Sequence, residues 1–225
     1  MDTRFCGMLA WRLMNDPAPY PAKVGYDEAV AERYDHRPPW RHRPEMSLLE
    51  PALRLLPSGS RVLDAPCGAG RVSVRLAEMG MRVTSLDISP AMLARTREKM
   101  RRFRAEDRVM AGDLEKLPFS DGEFDGAVCF RFFSHLPDDQ LRRQVVGELC
   151  RVARQYVIIS FFHPVAVHNL KRLLQTKLMG KPQAHYFVRP NALDSLFAPH
   201  GYQRVHLAAQ SRYLKSLWLA VFRRK

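Results

Sequence analysis

The 225-residue chain is 46% hydrophobic, enough for one large core, whereas two independent domains would each be small. No run of about 18 apolar residues exists, which excludes a membrane-spanning helix, and the four cysteines stand apart without metal-ligand or CxxC spacing, as reduced intracellular thiols do. Net charge is +13, concentrated in residues 161 to 225, which hold 11 basic side chains against one acid and so set up a local attractive field.

Residues 1 to 57 read as a helical cap. The first 15, MDTRFCGMLAWRLMN, lack the apolar stretch and cleavage site of a signal peptide, and place Phe5, Leu9 and Leu13 near helical spacing, which suits a lid helix or a frayed end. Residues 1 to 60 contain eight of the sixteen prolines, so helices there must be short pieces such as DEAVAERYD and EMSLLEPALRLL. From residue 58 to 225 apolar strands alternate with amphipathic helices, the pattern of a mostly parallel sheet covered on both faces.

The first strand is expected at Arg61–Asp64, followed by a glycine-rich turn and a helix from Arg71 to Met79 that Gly80 closes. A second strand follows over Met81–Asp87. Ser89-Pro90 then supplies an N-cap and a first-turn proline for a helix reaching about Arg102. Strands three, four and five fall at Arg108–Met110, Asp125–Phe130 and Tyr156–Phe162. Between the last two, Asp138-Asp139 open a helix whose apolar face is Leu141, Val145, Leu149 and Val152. A basic helix over about Val165–Leu178, a helix over Asn191–Phe197 and two β-like runs, Gln203–Leu207 and Leu214–Phe222, complete the chain.

VLDAPCGAG is the strongest chemical signal. It ends a strand in an acid and turns into a helix through Gly68 and Gly70, where the backbone can approach a ligand closely. A dinucleotide site would use a third small residue in place of Ser73 and would not place Asp64 where a pyrophosphate lies, so a nucleotide-dependent oxidoreductase fits poorly. Asp64 suits the ammonium of a bound amino acid instead. Asp87 ends the second strand 23 residues on, near the ~20-residue offset at which an acid meets ribose hydroxyls. Asp113, in MAGDLEKLPF, is a third acid at a third strand end. A lone acid at a strand end is as often a helix cap; three in order point to one ligand.

These motifs resemble those of the class I S-adenosylmethionine-dependent methyltransferases, over roughly residues 25 to 222. VLDAPCGAG is similar to the family's first motif, with Pro66 and Cys67 where many members have the first glycine and a variable residue. The resemblance implies a doubly wound, Rossmann-like α/β fold, with a seven-stranded, mostly parallel sheet, an antiparallel last strand and an N-terminal helical cap. It implies S-adenosylmethionine as cofactor, with Asp87 on the ribose and Asp113 and Leu114 at the adenine. Asp64, Ala65, Gly68, Gly70 and Ile88 complete the cradle, and Phe130, in FDGAVCFRFFSHLPD, lies near the methionine moiety. In GYDEAVAERYDHRPPWRHRPE it implies that Tyr34, Arg37 and Arg43 close over the cofactor's methionine end, although tyrosines at this spacing also serve as apolar packing. No metal is implied.

Methyl transfer from a sulfonium needs positioning above all, and a base only where the acceptor must lose a proton. His135, just past strand four, is the first candidate base and His163, after strand five, the second; His135 could equally close the turn before Leu136-Pro137. The basic stretch over about 163–190 includes Lys171, Arg172 and Lys177 and no acid. With Tyr34 it forms the expected acceptor rim, suited to an anionic small molecule or glycolipid, such as a phosphorylated glycolipid undergoing O-methylation. A cytoplasmic protein with peripheral contact at the inner face of an anionic membrane fits the same charge. RNA ranks lower because aromatic platforms are not interleaved with the basic residues. A non-catalytic protein of the same fold is a further alternative, and the solvated-surface reading of the charge stays open.

Overall fold

The computed structural model describes residues 27–35, 38–164, 186–211 and 216–225. Among the described residues two helices, α1 (Glu28–Asp35) and α2 (Pro39–Leu53), precede the sheet. α2 begins seven residues earlier than its apolar run suggests, because Pro39 sits at the first helical position, where a missing N–H costs no helical bond. Strands and helices then alternate as far as β3, which β4 follows without a helix: β1 (Arg61–Asp64), α3 (Arg71–Glu78), β2 (Arg82–Asp87), α4 (Pro90–Met100), β3 (Val109–Ala111) and β4 (Phe124–Cys129). α5 (Asp139–Val152), β5 (Ala153–Phe162), α6 (Pro190–Phe197), β6 (Tyr202–Ala209) and β7 (Leu217–Arg224) follow.

Local sequence explains most of these boundaries. Gly80, past the end of α3, has φ +79, the left-handed stop expected of it. Ser89 Oγ accepts from Met92 N at 3.3 Å to cap α4, and Asp138 Oδ1 accepts from Leu141 N at 2.8 Å to cap α5. β5 starts three residues before its expected position, since α5 passes into the strand at Ala153 without a loop.

Strand order is β3-β2-β1-β4-β5-β7-β6. β1 to β5 are parallel throughout, and β7 is antiparallel to both β5 and β6. Adjacent residues on a strand face opposite sides, so the buried central strands feed two cores. Leu63, Ala127, Val157 and Ile159 pack with Val145 and Leu149 of α5 and Phe197 of α6 on one side. Val62, Val128 and Ile158 pack with Leu49 and Leu53 of α2, Leu76 of α3 and Leu93 of α4 on the other. The sheet is therefore covered on both faces. Phe197 and Phe222 stack with centroids 3.8 Å apart, and Tyr202 donates from its hydroxyl to Ala153 O at 2.7 Å. Arg37, Lys171, Arg172 and Lys177, and the basic helix expected around the last three, lie outside the described residues.

Candidate active site

The ends of β1, β2 and β4 open on one edge of the sheet, the place where doubly wound folds bind ligands. A cavity of about 330 Å³ lies there, walled by Gly68 of the β1–α3 turn, Asp87 and Ile88 at the end of β2, Phe130 past β4 and Tyr34 of α1. Gly68 has φ +52, and a Cβ there would meet no atom within 4 Å, so the turn is held in a left-handed conformation beside open space. Gly70 has φ +79 for another reason: a Cβ would come within 2.8 Å of Thr96 Oγ1 and 3.1 Å of Thr96 Cα, so it lets α3 approach α4.

Asp87 fixes the turn from below. Its Oδ2 accepts from Gly68 N at 2.8 Å and its Oδ1 from Ser89 N at 2.9 Å. Burial holds its carboxyl above the usual range against those two amides, which favour the charged form. Asp64 lies deeper, 1% exposed, and its Oδ2 accepts from Ser73 Oγ at 2.6 Å while Ser73 takes a bond from Ser85. Desolvation raises its pKa to about 7, against the Ser73 hydrogen bond, with the nearby Asp87 charge adding to the rise. Ser73, the residue that spoils the dinucleotide pattern, is thus the partner of the first acid.

Among the remaining expected residues, Asp64, Ala65, Gly70, Asp113 and Leu114 do not line the cavity. Asp113 Oδ1 accepts from Glu115 N at 2.9 Å in a local turn, and Leu114 is buried. His135 ends a 3₁₀ turn over Phe133–His135, its ring centroid 6.5 Å from that of Phe132 on the wall. His163 stacks on Trp218 at 4.5 Å, neither histidine lines the cavity, and Arg43 is exposed. The wall also includes His42, Arg71, Lys99, Arg131 and Phe132, which sequence reasoning passed over. Arg71 and Arg131 directly follow Gly70 and Phe130, so adjacency to the two motifs was a usable signal. His42 had none beyond its place in the cap segment.

Residues 62–156 match the family model described as a methyltransferase domain. The chain is 36% identical over 155 residues to a malonyl-[acyl-carrier protein] O-methyltransferase of Pectobacterium atrosepticum, covering 67% of this chain and 58% of that protein. This chain thus carries a methyltransferase domain. A ubiquinone biosynthesis O-methyltransferase of Xanthomonas axonopodis pv. citri is 35% identical to this methyltransferase chain over 158 residues, 67% of the chain and 65% of the relative. The chain spans little more than half the length of the first relatives it matches. The fold is also that of a magnesium protoporphyrin IX methyltransferase from Synechocystis PCC 6803, solved with S-adenosylhomocysteine. That likeness has a TM-score of 0.67 at 19% identity, over 98% of this chain and 95% of the other.

The cavity fits S-adenosylmethionine by its donor set. An open glycine turn, a buried carboxylate on the wall and the exposed apolar Ile88 provide for a close backbone approach, hydroxyl donors and a planar ring. Among the described residues no His, Cys, Asp and Glu group could hold a metal, and no helix is long and apolar enough to cross a membrane.

Proposed function

We propose that this chain transfers the methyl group of S-adenosylmethionine to a small or lipid-linked anionic acceptor, by O-methylation. The observation that carries the reading is the open turn at Gly68 held by buried Asp87 on the cavity wall. The O-methyltransferase names of two relatives support oxygen as the attacking atom. In this reading residues 1–57 cap a cofactor-binding core over 58–225, and the 163–190 stretch forms the acceptor rim.

The cofactor supplies a methyl carbon on a sulfonium, open to in-line displacement. The protein holds the reacting groups. Asp87, on the cavity wall, would accept from the ribose hydroxyls. Asp64, with Ser73 behind it, faces the ammonium through the Ala65–Gly70 turn. Ile88 would cover the adenine, Asp113 and Leu114 would meet its edge, and Phe130 would lie near the methionine moiety. Tyr34, Arg37 and Arg43 close the methionine end from the cap, while Lys171, Arg172 and Lys177 draw in the acceptor.

Deprotonation of a hydroxyl acceptor is assigned to His135, with His163 second. His135 stands at the end of the turn that starts from the wall residue Phe132, which favours it over His163, whose ring stacks on Trp218. His135→Ala is expected to cut turnover at least tenfold, the low end of general-base catalysis or below, and to leave cofactor affinity within twofold. Wild-type turnover would remove His135 as base.

The test of the whole reading is calorimetric titration with S-adenosylhomocysteine, followed by labelling of fractionated cell extract with methyl-labelled cofactor. Saturable binding and label in an anionic small-molecule or lipid fraction are the expected results. Label in RNA would establish the nucleic-acid alternative, and binding without transfer to any fraction the non-catalytic one.

A further inference from the structure

Two guanidinium groups at the cavity share a single carboxylate. Arg71 stands at the first position of α3 and Arg131 one residue past Phe130, and both are on the cavity wall. Glu45 reaches between them from α2: its Oε2 accepts from Arg71 Nη1 at 2.8 Å, and its Oε1 faces Arg131 Nη1 at 3.4 Å. The Glu45 side chain is 13% exposed and the two arginines 28% and 25%, so the cluster is shielded from solvent but not sealed. Two cations meeting one anion leave an excess of positive charge.

The surroundings present both guanidinium groups as oriented donors. Arg71 lies 5.6 Å over the Phe130 ring and Arg131 5.3 Å over the Phe162 ring, contacts that place each guanidinium group without using up its five N–H donors. Arg71 Nη1 also donates to His42 Nδ1 at 2.6 Å. Arg131 is placed by its backbone: φ is +65, in the left-handed region that strains a residue with a Cβ. Its N–H donates to Ser160 Oγ at 2.6 Å. Glycine would meet the same turn without strain, so an arginine there points to a use for its side chain.

We infer that Arg71 and Arg131 are the anion-recognition pair of the acceptor site, and that Glu45 stands in for the acceptor's carboxylate or phosphate until the acceptor displaces it. This rests on the methyltransferase reading of the same cavity and adds the acceptor's chemistry: an anionic group presented beside the cofactor, not only at the outer rim. It also couples acceptor entry to α2, because the displaced carboxylate belongs to that helix. The same pair could instead hold the carboxylate of the cofactor's methionine end, and the experiment separates the two.

The intact chain, saturated with S-adenosylhomocysteine, is titrated calorimetrically with malonate at fixed ionic strength, with malonamide as the neutral control. Malonate is expected to bind saturably and malonamide not at all. Glu45→Gln, which removes the internal competitor at nearly constant shape, should raise malonate affinity roughly tenfold, and Arg131→Gln should lower it by at least as much, as expected for charge-assisted bonds. Arg131→Lys, which keeps the charge and loses the fork, should fail to restore it. A Glu45→Gln protein that is less stable and binds malonate no better would make the cluster a structural bridge and overturn the inference. Malonate competing with S-adenosylhomocysteine, with equal loss of cofactor affinity in Arg71→Gln and Arg131→Gln, would assign the pair to the cofactor and overturn it too. If Arg131→Gln does not fold, the near-isosteric Glu45→Gln decides alone. Failure of the wild-type chain to bind S-adenosylhomocysteine would defeat the underlying reading of the cavity, a separate result from failure of malonate to bind the loaded protein.

Discussion

Asp87 combines two roles that substitution can separate. It holds the glycine turn through the Gly68 amide, and in the proposed complex it accepts from two ribose hydroxyls. Hydrogen bonds to a charged acceptor are worth about 1.5–3 kcal/mol each, so Asp87→Ala is expected to weaken S-adenosylhomocysteine binding at least tenfold in a folded protein. Asp87→Asn tests the acceptor role more narrowly, since one oxygen becomes a donor; unchanged affinity in both variants would refute the ribose assignment. Asp64 predicts a pH effect. Its pKa is raised to about 7 by burial, above an ordinary 3.8, so between those values the folded state keeps a proton that the unfolded chain has released. Stability of the cofactor-free protein should then fall as pH rises from about 4 to 7, and level off beyond. Asp64→Asn should flatten that slope in thermal unfolding. Because an ammonium partner favours the carboxylate, S-adenosylhomocysteine binding near pH 6 should release protons, which calorimetry in buffers of different ionisation enthalpy would read. Uptake or no change would argue against the Asp64–ammonium contact.

Between elements, the two glycines of the first turn have different physical duties. Gly68 faces the cavity and Gly70 faces Thr96 of α4. Gly70→Ala adds a clash to a left-handed backbone and is expected to cost about 2–4 kcal/mol, from strain and overpacking together. Gly68→Ala should cost only the strain, about 1–2 kcal/mol, but should weaken cofactor binding more than Gly70→Ala does relative to its stability loss. Paired thermal unfolding and calorimetry check this; equal patterns for both would remove the distinction. The turn, the caps at Ser89 and Asp138, and the strand ends at Asp64 and Asp87 were legible in the sequence because each is set by neighbours within a few positions. The Glu45 cluster was not: its partners lie 26 and 86 positions away and meet only when α2 folds over the sheet. The reason for Ser73 was hidden likewise, since its hydroxyl matters only once Asp64 and Ser85 are brought beside it.

For the molecule as a whole, the charge is lopsided: residues 161–225 hold 11 basic side chains and one acid. An exposed field of this kind is screened over a Debye length of about 8 Å at physiological ionic strength. Replacing Lys171, Arg172 and Lys177 with Gln should therefore weaken binding to anionic vesicles severalfold at low salt, and leave S-adenosylhomocysteine affinity unchanged. Vesicle binding that responds neither to the substitutions nor to salt would make the charge ordinary solvated surface. The strand order has a consequence for how such a chain is made. β7 leaves the ribosome after every other strand, yet it belongs between β5 and β6, with Tyr156–Phe162 of β5 paired along its length. Until residues 217 to 224 emerge, the nascent chain holds a largely apolar strand with one edge open, and β6 has no strand beside it. The sheet is thus finished by filling a gap in its interior, not by adding to its rim, and the growing chain must keep that gap from foreign strands until its own arrives.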